Sequence, residues 1–73
     1  MKYTYKVSLK SDVTDSTVHT SMKKAVDYAK DMTNRIGCDA LVIRDDGIEM
    51  AFVSHHYVDS KNVYHRATVT KLN

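Results

Sequence analysis

Cysteine, proline and long apolar runs are scarce in this 73-residue chain or missing from it. Cys38 is the only cysteine, so an intramolecular disulfide and a thiolate metal cluster within one chain are both excluded. Its position just after Gly37 is typical of a small buried apolar residue. No stretch resembles a signal peptide or approaches the roughly 20 apolar residues that span a bilayer. We therefore expect a cytoplasmic protein that does not associate with a membrane.

The chain also lacks a strong excess of one charge and any catalytic signature. Eleven basic and nine acidic residues give a formal charge of +2, which is too small to indicate nucleic-acid binding on charge alone. The sequence places no nucleophile with a base, no paired carboxylates and no oxyanion site. Residues 1–73 suffice for one domain, whose thin core leaves little room for a substrate cleft. We therefore expect a non-enzymatic protein that uses no cofactor.

The first half of the chain predicts a strand, a connecting loop and a helix. Residues 2–10 alternate strictly between polar and apolar side chains, as in a half-buried strand, and Lys2, Lys6 and Lys10 lie on its polar side. Residues 11–19 are polar and predict a loop, or a tight turn followed by a short strand near residues 16–19.

The helix that follows has recognisable ends and one apolar stripe. Thr20 or Ser21 is the candidate N-cap, and Gly37 is placed for a left-handed C-terminal cap. The apolar stripe at helical spacing consists of Met22, Ala25, Val26, Ala29, Met32 and Ile36. Two alanines in this stripe allow the helix to approach a sheet closely.

Two turn signals predict a three-stranded meander in the rest of the chain, with strands at 40–44, 48–58 and 63–72. A two-residue hairpin turn at Asp46-Gly47 pairs Leu41 with Phe52 and Arg44 with Glu49. A four-residue turn at 59–62 brings further residues together across the last two strands. The pairs predicted by this second turn are Val58–Val63, Tyr57–Tyr64, His56–His65 and His55–Arg66.

These registers divide the meander into two faces. The predicted core face carries Leu41, Ile43, Ile48, Met50, Phe52, Val58, Val63, Ala67 and Val69. The predicted outer face carries Val42, Arg44, Glu49, Ala51, Val53, His55, Tyr57, Tyr64, Arg66, Thr68 and Thr70. With the first strand and the helix, the fold class is α+β. We expect two layers, one helix packed on a mainly antiparallel sheet, in the order β-α-β-β-β.

The outer face is the candidate binding surface because tyrosine and arginine are enriched at interface hot spots. Its predicted contact residues are Tyr57, Tyr64, Arg66 and His55, and its rim is predicted to include Arg44, Lys2, Lys6 and Lys10. A protein partner is the first hypothesis. Nucleic-acid binding through the same face and homodimerisation that covers its apolar centre are the alternatives. A plain cross-strand tyrosine pair that stabilises the sheet is also compatible with the pattern.

The predicted His56–His65 pair allows two interpretations. Two imidazoles across a hairpin can ligate Zn²⁺ when further ligands arrive, with His19 as a conceivable third. The pattern favours a pair that finishes the rim of the sheet and binds no metal. Because two adjacent imidazoles resist simultaneous protonation, such a rim is expected to fray below roughly pH 6.

In size and pattern the chain resembles the small single-domain proteins of bacteriophages, including some anti-CRISPR inhibitors built as one helix against an antiparallel sheet. The resemblance rests on the lysine-rich first strand, on the helix written Ser21-Met-Lys-Lys-Ala25-Val-Asp-Tyr-Ala29 with its Gly-capped exit, and on the tight meander. It implies a non-enzymatic inhibitor that binds a host defence or metabolic protein. It carries over no functional residue, because such proteins share no common site motif.

Overall fold

One helix lies on one face of a five-stranded antiparallel sheet in the computed structural model, which describes residues 3–10 and 16–73. Lys2 and most of the predicted loop lie outside the described residues. The elements are β1 (Tyr5–Lys10), β2 (Ser16–His19), α1 (Met22–Ile36), β3 (Asp39–Arg44), β4 (Glu49–Ser54), β5 (Tyr57–Val58), β6 (Tyr64–His65) and β7 (Thr68–Lys71). The α+β class, the element order and the short extra strand near residues 16–19 are confirmed.

Both predicted helix caps are present. The side chain of Ser21 accepts a hydrogen bond from the backbone N–H of Lys24, which satisfies one of the free donors of the first turn. Gly37 adopts φ 77°, and its N–H donates to the carbonyl of Thr33 at 2.9 Å. A residue with a Cβ is strained in this left-handed conformation, so glycine ends the helix here.

The main sheet has the strand order β2-β1-β3-β4-β7. β1 therefore pairs with β2 on one side and with β3 on the other, although β3 follows the helix in sequence. Val7 lies opposite Val42, and Leu9 lies opposite Ala40. Cross-strand partners point to the same side of a sheet, so these four residues share one face.

That shared face is the one that the helix covers, and it is the opposite of the face predicted for the meander. Val7, Ala40, Val42 and Val53 are fully buried, and Ala51 is 1% exposed. They pack with the fully buried Ala25 and Ala29 of α1. The larger residues predicted for the core behave differently: Leu41, Ile43 and Phe52 are only half-buried and lie on the other side of the sheet, which we call the open face.

The face was predicted wrongly because both faces carry apolar residues at their centres, so period-two patterning alone does not decide between them. The phase is instead set by the exit from the helix. Cys38 is 8% exposed, as predicted for a small residue after Gly37, and Ala40 and Val42 follow it at strand spacing. Extending the burial of Cys38 by two and four residues gives the observed core face.

Both hairpins use three-residue loops, where the sequence predicted two and four. In the first, the N–H of Gly47 donates to the carbonyl of Arg44, and the N–H of Arg44 donates to the carbonyl of Ile48. In the second, Asn62 and Asp59 donate in the same pattern to the carbonyls of Asp59 and Val63. The third loop residue is left-handed in both, with φ 91° at Gly47 and φ 61° at Asn62. This is the turn followed by a left-handed residue that is common in three-residue hairpins.

The loop length shifts each register by one residue, but only the first shift is compensated. An irregularity between Val42 and Ile43 restores the predicted pairing of Leu41 with Phe52, whereas Ile43 faces Glu49. The predicted Arg44–Glu49 pair is therefore wrong. Nothing compensates the second shift, and Tyr57 lies opposite His65 instead of Tyr64.

Exchanging two neighbouring residues of β3 for aspartate tests which face is buried. Val42→Asp places an unpaired carboxylate against α1, and we expect the variant not to fold. Leu41→Asp places it on the open face, and we expect a folded protein of reduced stability. Circular dichroism shows whether each variant folds, and urea unfolding measures its free energy of unfolding. A folded V42D beside an unfolded L41D would show that the helix covers the other face.

Candidate functional site

A two-stranded ribbon formed by residues 55–67 extends the β4–β7 hairpin past the end of the five-stranded sheet. The predicted long strands are interrupted between β4 and β5 and again between β6 and β7, so the ribbon is a separate two-stranded sheet. β3 begins at Asp39, which lies near Ser54 at the end of β4. From Ser54, five more residues of about 3.3 Å each extend the chain to Asp59 at the turn of the ribbon. The chain measures 47 × 24 × 17 Å along its principal axes. Its radius of gyration is 12.6 Å, against about 11 Å for a compact chain of this length.

Two adjacent histidines lie at the base of the ribbon, where the regular alternation of side chains between the two faces of the sheet is interrupted. The Nδ1 atom of His55 lies 2.6 Å from Oδ1 of Asp39, at the start of β3. The Nδ1 atom of His56 lies 2.6 Å from Oδ1 of Asn34, in the last turn of α1. One imidazole therefore reaches the sheet while the next reaches the helix, and the ribbon is attached to both layers.

On the side that carries His55, the ring of Tyr57 lies between two imidazoles. Its centroid is 5.7 Å from that of His55, with the planes inclined at 47°. It is 4.6 Å from that of His65, with the planes at 12°, which is a stacked arrangement. Such ring contacts contribute about 0.5–1.5 kcal/mol beyond buried area. They hold the orientation of Tyr57 although its side chain is largely exposed.

Asp59 ties His65 to the turn of the ribbon. Its Oδ2 atom lies 2.9 Å from Nε2 of His65. Its Oδ1 atom accepts hydrogen bonds from the backbone N–H groups of Lys61 and Val63, at 2.8 and 3.0 Å. One carboxylate thus fixes the loop and one face of the ribbon together.

The pKa values of both aspartates are lowered for the same physical reason. The hydrogen bond from His55 holds the pKa of Asp39 below its ordinary value, against a smaller opposing effect of burial, and Lys10 on the adjacent strand acts in the same direction as His55. The hydrogen bond from His65 lowers the pKa of Asp59, and the backbone donors of the loop add to that effect.

The other side of the ribbon carries His56 and Tyr64, whose ring centroids are 5.9 Å apart. Because His56 reaches the helix and His65 stacks on Tyr57, the predicted His56–His65 pair is wrong. The expected fraying by repulsion between two imidazoles thereby loses its basis. Within residues 3–10 and 16–73, no group of three or more His, Cys, Asp or Glu side chains is arranged to hold a metal ion.

Exposed large apolar side chains are concentrated on the ribbon. Four large side chains in it remain about half exposed: Tyr57 at 47%, Val58 at 59%, Val63 at 51% and Tyr64 at 58%. Arg66, also exposed, follows β6. The sequence placed both tyrosines on one face. The observed register places them on opposite sides, because one residue of shift reverses every side chain of a strand.

Of the remaining predicted site residues that the structure describes, Arg44 and Lys6 lie away from the ribbon and Lys10 lies at its end. Arg44 lies at the far end of β3 from Asp39, about 17 Å along the strand. Its guanidinium bonds to Asp46 at 2.6 Å and lies 4.1 Å from the ring centroid of Tyr3. Lys6 is exposed opposite Ile43, also toward that far end. Lys10 is at the ribbon end, opposite Asp39, and Lys2 is outside the described residues.

The open face is a surface that sequence reasoning missed. Leu41, Ile43 and Phe52 form its half-buried centre, and the Nζ atom of Lys10 lies 5.6 Å from the ring centroid of Phe52. Val18 of β2 is 66% exposed. Lys6 lies between Val18 on one side and Ile43 on the other. Cys38, Ala40 and Val42 lie in the core at alternate positions, so the residues between and after them lie on the open face. This alternation is the signal in the sequence that identifies the open face.

Comparison with known proteins gives no relative: no family model matches the chain, and neither a curated protein nor a solved structure matches it significantly. Among the described residues, α1 is the single helix, and no helix has the length and apolar character needed to cross a bilayer.

Replacing Asp39 and Asp59 together by asparagine should flatten the loss of stability in acid. Because the folded state lowers both pKa values, it binds fewer protons near pH 4 than the unfolded chain does. The resulting stabilisation is present above about pH 4 and is lost as the pH falls through the folded-state pKa values. We expect the melting temperature of the parent to fall more steeply than that of the double variant between about pH 5 and pH 3.

The measurement is a series of thermal melts followed by circular dichroism. Asp27→Asn, on the exposed surface of α1, is the matched charge control and should follow the parent. Parallel curves for the parent and the double variant would show that the two carboxylates do not contribute to acid sensitivity.

Proposed function

We propose that this chain is a non-enzymatic protein-binding domain whose ribbon of residues 55–67 contacts the partner. The observation that supports this proposal is the concentration of half-exposed tyrosine and valine side chains on an element outside the core. A tyrosine supplies a large, rigid contact area and can also form a hydrogen bond through its hydroxyl. Tyr57 and Tyr64 are therefore the proposed anchors.

The low stability expected of an isolated two-stranded ribbon favours a role in which a partner covers it. β5 and β6 make most of their close backbone contacts with each other, and an isolated two-stranded hairpin is at best marginally stable in water. Contacts of His55 and His56 hold its base, but the residues nearer the turn have no covering layer. A partner that buried the four apolar side chains would remove them from water at about 25 cal/mol per Å² of apolar surface.

The two tyrosines point to opposite sides, and this favours insertion of the ribbon into a cleft over contact with a flat surface. A ribbon in a cleft buries both sides at once and blocks whatever else the cleft binds. This geometry and the resemblance to small bacteriophage inhibitors lead us to propose that binding inhibits a larger host protein. Lys10 and Arg66 are the charged residues suited to orient the encounter.

Nucleic-acid binding is the second candidate, and one feature of the ribbon favours it. A two-stranded ribbon has the width that a DNA major groove admits, and tyrosine and histidine rings stack on unpaired bases. The charge is less favourable, since residues 55–67 hold two basic side chains and one acidic side chain, for a net +1 with neutral histidines. Such binding would weaken steeply with added salt.

Photo-crosslinking from the ribbon tests the proposal directly. A photoreactive phenylalanine analogue is placed at position 57, at position 64, or at position 23 near the start of α1, and the chain is irradiated in a lysate of its native source. We expect the same protein adduct from positions 57 and 64 and none from position 23, because Lys23 is exposed but far from the ribbon.

Affinity capture with ring variants completes this test. Tyr57→Ala with Tyr64→Ala should lose the adduct partner, whereas Tyr57→Phe with Tyr64→Phe keeps the rings and should retain most of it. Equal capture by the alanine and phenylalanine variants would exclude the ribbon as the contact. An adduct removed by nuclease would replace the protein partner by a nucleic acid, and an adduct of twice the chain mass would indicate homodimerisation.

A further inference from the structure

The three histidines of the ribbon make hydrogen bonds of similar length to chemically different partners. His55 and His65 face the carboxylates of Asp39 and Asp59, at 2.6 and 2.9 Å. His56 faces the neutral amide of Asn34, at 2.6 Å. Protonation therefore has different consequences on the two sides of the ribbon, because only a carboxylate forms an ion pair with an imidazolium.

Both carboxylates are held in place independently of the imidazoles. Oδ1 of Asp39 also accepts a hydrogen bond from the backbone N–H of His55 at 3.0 Å. Asp59 accepts two backbone hydrogen bonds within its loop. A positive charge that appears on either imidazole thus meets an anion that is already oriented, without the ordering of two long side chains that weakens most surface ion pairs.

The charged and titratable groups around these imidazoles come from three elements. β3 contributes Asp39, and Lys10 of β1 acts on that same carboxylate. The ribbon itself contributes Asp59 and the ring of Tyr57, which lies between the two imidazoles. The negative face of an aromatic ring attracts a cation, so a protonated His65 stacked on Tyr57 gains a second favourable contact.

We infer that mild acid stabilises the ribbon, because protonation of His55 and His65 converts two hydrogen bonds into ion pairs. The ion pair of His55 with Asp39 holds the ribbon to the sheet, and that of His65 with Asp59 holds the ribbon to its own turn. Both pairs fix the imidazoles between which Tyr57 lies. Imidazole side chains in general titrate near pH 6.5, and aspartates near pH 4 or below. The stabilised state requires a protonated imidazole beside an ionised carboxylate, in the geometry that His55 shares with Asp39 and His65 shares with Asp59. The direction is opposite to the fraying expected from a His56–His65 pair.

The effect on partner binding rests on the proposed function, whereas the effect on the ribbon does not. A ribbon that is already ordered loses less conformational entropy on binding, so a partner that contacts Tyr57 is bound more tightly at pH 5.5 than at pH 7.5. The affinity of the ribbon for its partner would then be highest in acidified surroundings.

Hydrogen exchange measured by NMR on the free protein tests the inference without a partner. Protection factors, which correct for the intrinsic pH dependence of exchange, are compared at pH 7.5 and pH 5.5 for the amides of Tyr57 and His65. We expect an increase of about 1.4- to five-fold per ion pair, the range for exposed pairs. The amides of Val42 and Val53 in the core serve as the internal reference.

Glutamine variants of the three histidines separate the ion pairs from other effects of pH. His55→Gln and His65→Gln keep a donor but cannot be protonated, and each should reduce the gain in ribbon protection at pH 5.5. His56→Gln is the matched control at the same ribbon base and should leave the gain intact. If His55→Gln impairs folding, Asp39→Asn replaces it, because the amide removes the same ion pair.

Two results would overturn the inference: unchanged ribbon protection in the parent between the two pH values, or a gain that survives in H55Q and H65Q and disappears in H56Q. Neither result bears on whether the ribbon binds a protein, which the crosslinking experiment decides. Conversely, failure to find a ribbon adduct leaves the protection measurement valid.

Discussion

The close approach of one helix to the centre of the sheet governs the rest of this structure. Ala25 and Ala29 of α1 are fully buried against a sheet face whose centre consists of valines and alanines, with Leu9 beside them. Small side chains on both surfaces allow the two layers to interdigitate at the density of a protein interior, which a face of leucine and phenylalanine would not allow at the same separation. A chain of 73 residues has room for a single layer contact of this kind.

This constraint determines where the larger apolar residues go. With Ala40, Val42, Ala51 and Val53 committed to the helix, strand alternation sends Leu41, Ile43 and Phe52 to the open face. The five-stranded sheet ends at Ser54 of β4 and Thr68 of β7, and residues 55–67 continue past it as a ribbon. The exposed tyrosines are thus a result of topology, and the hydrogen-bonded histidines and aspartates supply the order that a hydrophobic layer supplies elsewhere.

The ribbon joins the candidate function to the fold through the same few residues. His55 and His56 attach its base to the sheet and to the helix, and Asp59 closes its turn. Polar contacts of this kind contribute less free energy than the burial of apolar side chains that holds the core together. An element that is held by ionisable groups can respond to its surroundings while the scaffold beneath it stays unchanged.

The amino-acid sequence by itself determined the element types, both helix caps, the position of the hairpins and the burial of Cys38. These features depend on local chemistry, such as the hydroxyl of Ser21 and the left-handed tolerance of Gly37. Tertiary structure alone decided the pairing of β1 with β3 and the partner of each ribbon histidine, whereas the burial of Cys38, extended along β3, indicates the sheet face that meets the helix. Period-two patterning by itself does not decide the face because both faces have apolar centres, and one residue of loop length, at Asp59, is enough to reverse the sides of the ribbon.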